Sequence, residues 1–304
     1  MANVSGFELS HLQALAAVVD HGTFDRAATH LHITASAVSQ RIKSLEQSVG
    51  QVLVQRSKPV VATPAGTAYV RLARQVDALI GDVRAELQPE RGHAALTLGV
   101  NADTMATWLL PALARLPDWI TVELRRDDQA NTLAMLQAGT VAGVITSEAK
   151  PVQGCRSTPL GTMRYRPVAS PDFADRWFSG GATPSALAAA PVVNFDRHDR
   201  IQDDYLIARG IDPRSVRSHY VPSSADYVRA IELGMGWGLL PRQQIESADA
   251  GQIEVFDVDY FGDLHLFWQQ WNYQTRALAL VEATIVRAAV EQLDTVHPSR
   301  MRTQ

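Results

Sequence analysis

The chain has 304 residues, 46% of them hydrophobic and 20% charged, with a formal net charge of −4. That composition leaves room for more than one packed core and excludes a polycation, so nucleic-acid binding would have to come from a local surface. Its one cysteine, Cys155, excludes an intramolecular disulfide and a Cys-rich zinc site and fits a reducing compartment.

No apolar run approaches the ~20 residues of a membrane span. MANVSGFELS carries neither the basic start nor the apolar stretch of a signal peptide. A cytoplasmic chain without membrane contact is expected.

Leu9, Leu12, Leu15, Ala16 and Val19 recur at helical spacing, with Ser10 as a cap and Gly22 as the stop. Thr23 is a good N-cap for a second helix through Phe24, Ala27, Ala28 and Leu31. His32-Ile33 makes a turn, and Thr34 caps a third helix. In that third helix Val38, Ile42, Leu45 and Val49 form one buried stripe. Ser36, Gln40, Lys43 and Gln47 fall opposite, with Ser39 at the flank. Gln can pair with an adenine edge, and Ser or Lys can reach bases or phosphates. An isolated helix with such a face would be an ordinary solvated one. Here it is the second helix of a capped helix-turn-helix, the arrangement that aims such a face at the major groove.

Val52–Gln55 and Val60–Ala62 read as short strands around Arg56-Ser57-Lys58-Pro59. That hairpin is a wing whose cations suit phosphate or minor-groove contact. The expected DNA-facing set is Thr23, Thr34, Ala35, Ser36, Ser39, Gln40, Lys43, Arg56 and Lys58.

Thr63 and Pro64 open a long helix in which Ala65, Tyr69, Leu72, Val76, Leu79 and Val83 alternate steps of four and three. A heptad seam of this kind pairs with a second copy; the competing reading packs it on the chain's own core. Gln88 to His93 reads as a hinge. The expected organisation is a winged helix-turn-helix over residues 1–62, a linker and dimerisation helix over 63–93, and a third part over 94–304.

That third part alternates. Strands are expected at Leu96–Val100, Ile120–Arg126, Ala142–Thr146, Val192–Phe195 and Ser218–Val221. Helices are expected at Thr104–Leu116, Asn131–Ala138, Phe173–Phe178, Ser185–Ala190, Ile201–Arg209, Ala225–Leu233 and Arg276–Leu293. Met163–Ala169 and Leu264–Trp271 are extended crossings. The fold class is α/β: two lobes of periplasmic-binding-protein-like architecture, with lobe 1 at about 94–166 and 266–304 and lobe 2 at about 167–265.

Ligands of such sheets sit at the carboxyl ends of strands. The candidate positions are Asn101, Asp103 and Thr104; Asp127, Asp128 and Gln129; Thr146; Asn194 and Asp196; and Ser223 and Ser224. Helix N-termini and hydroxyls suit a carboxylate, and the aspartates suit an ammonium or guanidinium. Any single Asp among them could equally be a cap.

Several features are set aside. Gly234, Gly236 and Gly238 follow a helix, so a dinucleotide loop fails its context. The histidines lack ligand spacing, and no nucleophile motif occurs, so neither a metal, a cofactor nor catalysis is expected. Trp108, Trp237, Trp268 and Trp271 are read as core.

FDRAATHLHITASAVSQRIKSLEQSVGQVLVQR followed by TPAG resembles the N-terminal signature of LysR-type transcriptional regulators, over roughly residues 8–88. Ala35 and Val54 depart from the commonest pattern, and Ala35 bears on which bases are read. VNADTMATWLLPAL, PVQGCRSTPLG, YRPVAS and GMGWGLLP resemble the lysine- and arginine-responsive ArgP or LysG branch. The resemblance implies a regulator of basic amino-acid export or metabolism that senses lysine or arginine. It also implies a homodimer through the linker helix, a dimer of dimers on double-stranded promoter DNA, and contact with RNA polymerase. Two other readings compete: a DNA-binding protein whose cleft has lost its ligand, and a small-molecule-binding protein or enzyme whose N-terminal helices only dimerise.

Overall fold

The computed structural model describes residues 8–87, 93–126, 129–249 and 251–295. Three helices open it: α1 (Leu9–His21), α2 (Phe24–Leu31) and α3 (Ala35–Val49). Gly22 and Gly50, both in the left-handed region, end α1 and α3. Glu8, not Ser10, caps α1: it forms a reciprocal box with His11, two residues earlier than the sequence reading places the cap.

Leu15, Val18, Ala27, Val38, Ile42 and Leu45 close the trihelical core, which the wing completes with Leu53, Val54 and Val60. Each large aliphatic side chain buried there contributes about 1.5–3 kcal/mol. The wing strands β1 (Val54–Gln55) and β2 (Val61–Ala62) are shorter than expected. Their base is fixed by Glu46 on α3, whose carboxylate accepts from the Leu53 N–H at 2.8 Å.

The linker helix α4 spans Pro64–Leu87, with Thr63 Oγ1 accepting from the Gly66 N–H at 3.0 Å. Gly66 is required because any Cβ there would collide with the Leu53 carbonyl. Val70 and Ala73 bury against α1. The heptad seam therefore divides. Ala65 and Tyr69 pack on the head, whereas Leu72, Leu79 and Val83 stay exposed. Val76, Leu79, Ile80 and Val83 line an open apolar groove of about 440 Å3.

The remainder is built on one twisted sheet. β3 (Ala94–Val100) pairs in parallel with β4 (Ile120–Arg126) and β5 (Gly143–Thr146). Between β3 and β4, the helix α5 (Ala102–Thr104) runs through a π-helical segment, Met105–Leu109, into α6 (Leu110–Leu113). α7 (Gln129–Gln137) joins β4 to β5.

β6 (Cys155–Ala169) is a single strand twice the expected length. From Cys155 to Tyr165 it pairs with β11 (Gly262–Trp271), and from Tyr165 to Ala169 with β9 (Gly238–Pro241) and β10 (Glu254–Val255). It thus passes from one lobe to the other. Pro159, in its first third, hid the continuity, since a proline interrupts a strand reading. A register shift between Leu266 and Phe267 bends the pair where it crosses.

The second lobe adds α8 (Pro171–Phe178), α9 (Pro184–Ala189), β7 (Val192–Asn194), α10 (Ile201–Ile207), β8 (Ser218–Tyr220), α11 (Ser224–Glu232) and α12 (Arg242–Ser247). α13 (Arg276–Gln292) closes on the first lobe. Trp108, Trp237, Trp268 and Trp271 are all buried in the core, as read from the sequence. No helix among the described residues is long and apolar enough to cross a membrane.

Candidate nucleic-acid interface and ligand cleft

The α2–turn–α3 unit is held by its caps. Thr23 Oγ1 accepts from the Arg26 N–H at 3.2 Å, and His32 takes the left-handed conformation in the turn. Thr34 Oγ1 accepts from the Ala37 N–H at 3.1 Å and shares a hydrogen bond with Ser36 Oγ at 2.9 Å. With Val38, Ile42 and Leu45 buried, Ser36, Gln40, Lys43 and Gln47 face solvent; Ser39 is half-buried at the edge. Ala35 packs partly against the core, so it contributes shape and no polar group.

Arg56 and Lys58 are exposed on the wing. The Arg56 guanidinium lies over the Phe24 ring at 5.5 Å, which ties the wing to the start of α2. The Val60 N–H donates to the Gly22 carbonyl at 2.8 Å, fixing the wing's angle to the reading helix.

The cleft lies where β3, β4 and β7 end. Asn101 caps α5, its side chain accepting from the Thr104 N–H at 2.8 Å. Asp103 is the hub. Its carboxylate accepts from Tyr165 on β6 at 2.7 Å and from Ser224, across the cleft at the start of α11, at 3.3 Å. Gln244 of α12 in turn donates to Ser224 Oγ at 2.7 Å. Removal from water raises the Asp103 pKa above the usual carboxylate range, against the pull of the two hydroxyl donors. Burial and then the Asp103 charge push the Tyr165 phenol far up, so it remains a donor.

Asp196 closes a turn after β7, accepting from the His198 and Asp199 N–H groups at 2.7 and 2.9 Å. Its carboxylate is therefore committed in part to its own loop. Asp199, which the strand-end rule passes over, is more confined. Burial, with the charges of Asp103 and Asp196 adding to it, pushes its pKa up to about 6, although the Ile201 N–H bond opposes the shift. Neither Asp103 nor Asp199 has a cationic partner among the described residues.

The buried Thr104 hydroxyl and Asn194 Oδ1 have no hydrogen-bond partner among the described residues. Ser223 precedes α11 and makes no side-chain cap bond. Thr146, at the end of β5, accepts from the Glu148 N–H at 3.2 Å. Gln129 opens α7. Asp127 and Asp128 lie outside the described residues. Arg126, the last residue of β4, reaches the second lobe: its guanidinium donates to the Pro222 carbonyl at 3.4 Å and lies 5.8 Å from the Phe195 ring centre.

Two residues of this cleft were missed in the sequence. Asp199 sits three residues beyond Asp196, just ahead of a helix, where a carboxylate reads as a cap. Tyr165 sits in the part of β6 whose partner strands come from more than seventy residues away. Among the described residues no group of three or more His, Cys, Asp or Glu could hold a metal ion.

Residues 9–67 match the bacterial regulatory helix-turn-helix protein, lysR family, and residues 89–289 match the LysR substrate binding domain. The lysine export transcriptional regulatory protein LysG of Corynebacterium glutamicum is 38% identical, over 93% of this chain and 98% of that protein. The crystal structure of ArgP from Mycobacterium tuberculosis superposes with a TM-score of 0.87 at 41% identity, covering 94% of this chain and 98% of that one. Full-length LysG of C. glutamicum with bound effector Arg superposes with a TM-score of 0.80 at 36% identity, covering 95% of this chain and 100% of that one.

Proposed function

The chain belongs to the LysR family of DNA-binding transcriptional regulators, not to a family of enzymes, and from that premise we propose that it reads promoter DNA under the control of lysine or arginine. The observation that carries this reading is the pair of confined carboxylates, Asp103 and Asp199, with raised pKa values and no cation beside them among the described residues. A guanidinium or ammonium supplies what they lack, because a charge-assisted hydrogen bond in a site shielded from water is about twice as strong as a neutral one. The Thr104 hydroxyl can donate to the effector's α-carboxylate, and Asn194 Oδ1 can accept from its α-ammonium. Asn101, Ser223, Ser224, Asp196, Thr146, Gln129, Asp127 and Asp128 complete the candidate set around them.

At the other end, α3 enters the major groove. Ser36, Ser39, Gln40 and Lys43 reach base edges, Thr23 and Thr34 hold the helix starts at the backbone, Ala35 gives shape, and Arg56 and Lys58 take phosphates. The working division is a head over 1–62, a linker over 63–93 and an effector domain over 94–304. The exposed seam at Leu72, Leu79 and Val83 is where a second copy pairs in a homodimer, and dimers join on the operator. Regulated genes are those of basic amino-acid export or metabolism, in the cytoplasm, with RNA polymerase as the further contact.

Effector binding shifts the relative population of two lobe arrangements, and the heads follow. It does so only to the extent that the effector binds one arrangement better. A gel shift on the protein's own upstream region, with and without lysine or arginine, tests the whole reading. The expected result is a retarded complex whose mobility or affinity changes with one of the two amino acids. A complex indifferent to both would leave a DNA-binding protein with a silent cleft.

A further inference from the structure

The linker helix does more than space the head from the effector domain: it folds back and grips it. Arg71 and Arg74 lie one turn apart on α4. Arg71 donates to the Gln137 carbonyl at 3.3 Å, and its guanidinium lies 4.6 Å from the Trp271 ring centre. Arg74 donates to the Ala138 carbonyl at 2.9 Å and pairs with Asp20 at the end of α1. The two carbonyls belong to the last residue of α7 and the one that follows it, at the end where a helix leaves its acceptors unused and its dipole favours cations.

The turn that follows is shaped for close approach. Gly139 is in the left-handed region, at φ 69°, and a Cβ there would stand 3.1 Å from the Arg71 Cα. Around this grip the two bodies are poorly packed. A cavity of about 520 Å3 separates them, with Asp20, Arg74, Thr97, Arg125 and Trp271 in its walls. Contact across the gap runs through these two arginines, the Trp271 ring and the Asp82 carboxylate of α4, which accepts from the Arg276 N–H at 2.9 Å.

The other end of α7 is at the cleft. The helix begins three residues beyond Arg126, the β4 residue that touches Pro222 of the second lobe. Its nine residues span about 13 Å. It cannot flex independently of the sheet, since Thr132 presses on β3 at Gly99 and Leu136 is fully buried.

We infer that α7 is a strut that transmits the position of the second lobe to the linker helix, and that Arg71 and Arg74 are the latch at its far end. The effector seats at one end of the strut, and α1 of the reading head is tied through Asp20 to the other. This rests on the proposed effector site for the input and on the family for the output. Coupling free energies are reciprocal: whatever the latch transmits from effector to head, its loss returns as a change in effector affinity.

The test uses the full chain and reaches the latch from both sides, with Arg71→Ala/Arg74→Ala on α4 and Gly139→Ala on the turn. Two quantities are read: the footprint on the upstream DNA without amino acid, and the dissociation constants for arginine and lysine. Both variants are expected to change the footprint, and both to move effector affinity in the same direction by about 5–50-fold, the range of ordinary allosteric coupling. Footprint and effector affinity within twofold of the parent in both latch variants would overturn the inference. If the parent binds neither amino acid, the effector reading fails by itself. The latch then stands or falls on the footprint alone: changed in both variants it is retained, unchanged it is rejected. Should the double alanine variant fold poorly, Arg74→Gln keeps a polar side chain and removes the charge, and is judged by the same two readings.

Discussion

The reading head and the ligand cleft place polar groups in opposite ways. In the head, the bonds that shape the functional face join near neighbours: Thr23 to Arg26, Thr34 to Ala37, Ser36 to Thr34. The side chains left over, Gln40 and Lys43, stand in water. In the cleft, Asp103 is joined to Tyr165 and Ser224, 62 and 121 residues away, and is held from water with a raised pKa. A solvated face costs nothing to keep ready and gains its energy by releasing counterions from DNA. A desolvated carboxylate is held at a cost, and that cost is recovered only when a cation arrives.

That difference can be broken most forcefully in the cleft. Asp199→Asn removes the charge and keeps the acceptor for the Ile201 N–H. Loss of a charged hydrogen bond is worth about 1.5–3 kcal/mol, so arginine affinity measured by calorimetry should fall roughly 10–150-fold. The same substitution should stabilise the effector-free chain at pH 7. The folded pKa of about 6 lies above the ordinary 3.8, so the folded chain binds the extra proton between those values. Stability therefore falls as pH rises through that window and remains lower above it. Asn abolishes the penalty, a gain on the order of 1–3 kcal/mol in denaturant unfolding at pH 7. Unchanged stability together with unchanged affinity would dissolve the contrast between the two regions.

In the head the corresponding change is Gln40→Ala with Lys43→Ala. Each base contact is worth about 1–3 kcal/mol, so specific operator affinity should collapse while the melting temperature, set by the buried stripe, stays put. A smaller effect separates the regions by pH. Arginine affinity should be flat above pH 6 and weaken by up to about tenfold per unit below it, as Asp199 takes up its proton, while operator affinity without effector follows no such curve. Smallest is the wing. Arg56→Ala and Lys58→Ala should each lower the slope of log affinity against log salt by about one, with little change in sequence preference.

The same contrast explains what the sequence made legible. The caps of the helix-turn-helix are local, so periodicity and caps located α2, the turn and α3 to within a residue. The slips were Ser10 for Glu8, where a cap's partner lies a turn further on, and wing strands read longer than they are. In the effector domain the strand ends named Asp103, Asn194 and Ser224 as candidates, because a parallel sheet presents its carboxyl ends in order. Asp199 and Tyr165 were invisible for the complementary reason. What confines them is burial by strands and helices far away in sequence, and no spacing rule encodes that. β6 was likewise read at half its length, because its continuity is enforced by β11, about a hundred residues on.

The central claim is that the cleft recognises a side-chain cation through Asp103 and Asp199. Calorimetric titration of the full chain with arginine and with citrulline, which keeps the length and replaces the guanidinium with a neutral urea, tests it directly. The account predicts that arginine binds at least about tenfold more tightly, in line with one lost charged hydrogen bond, and that Asp199→Asn narrows the gap. Equal affinity for the two, or a preference untouched by the substitution, would contradict it.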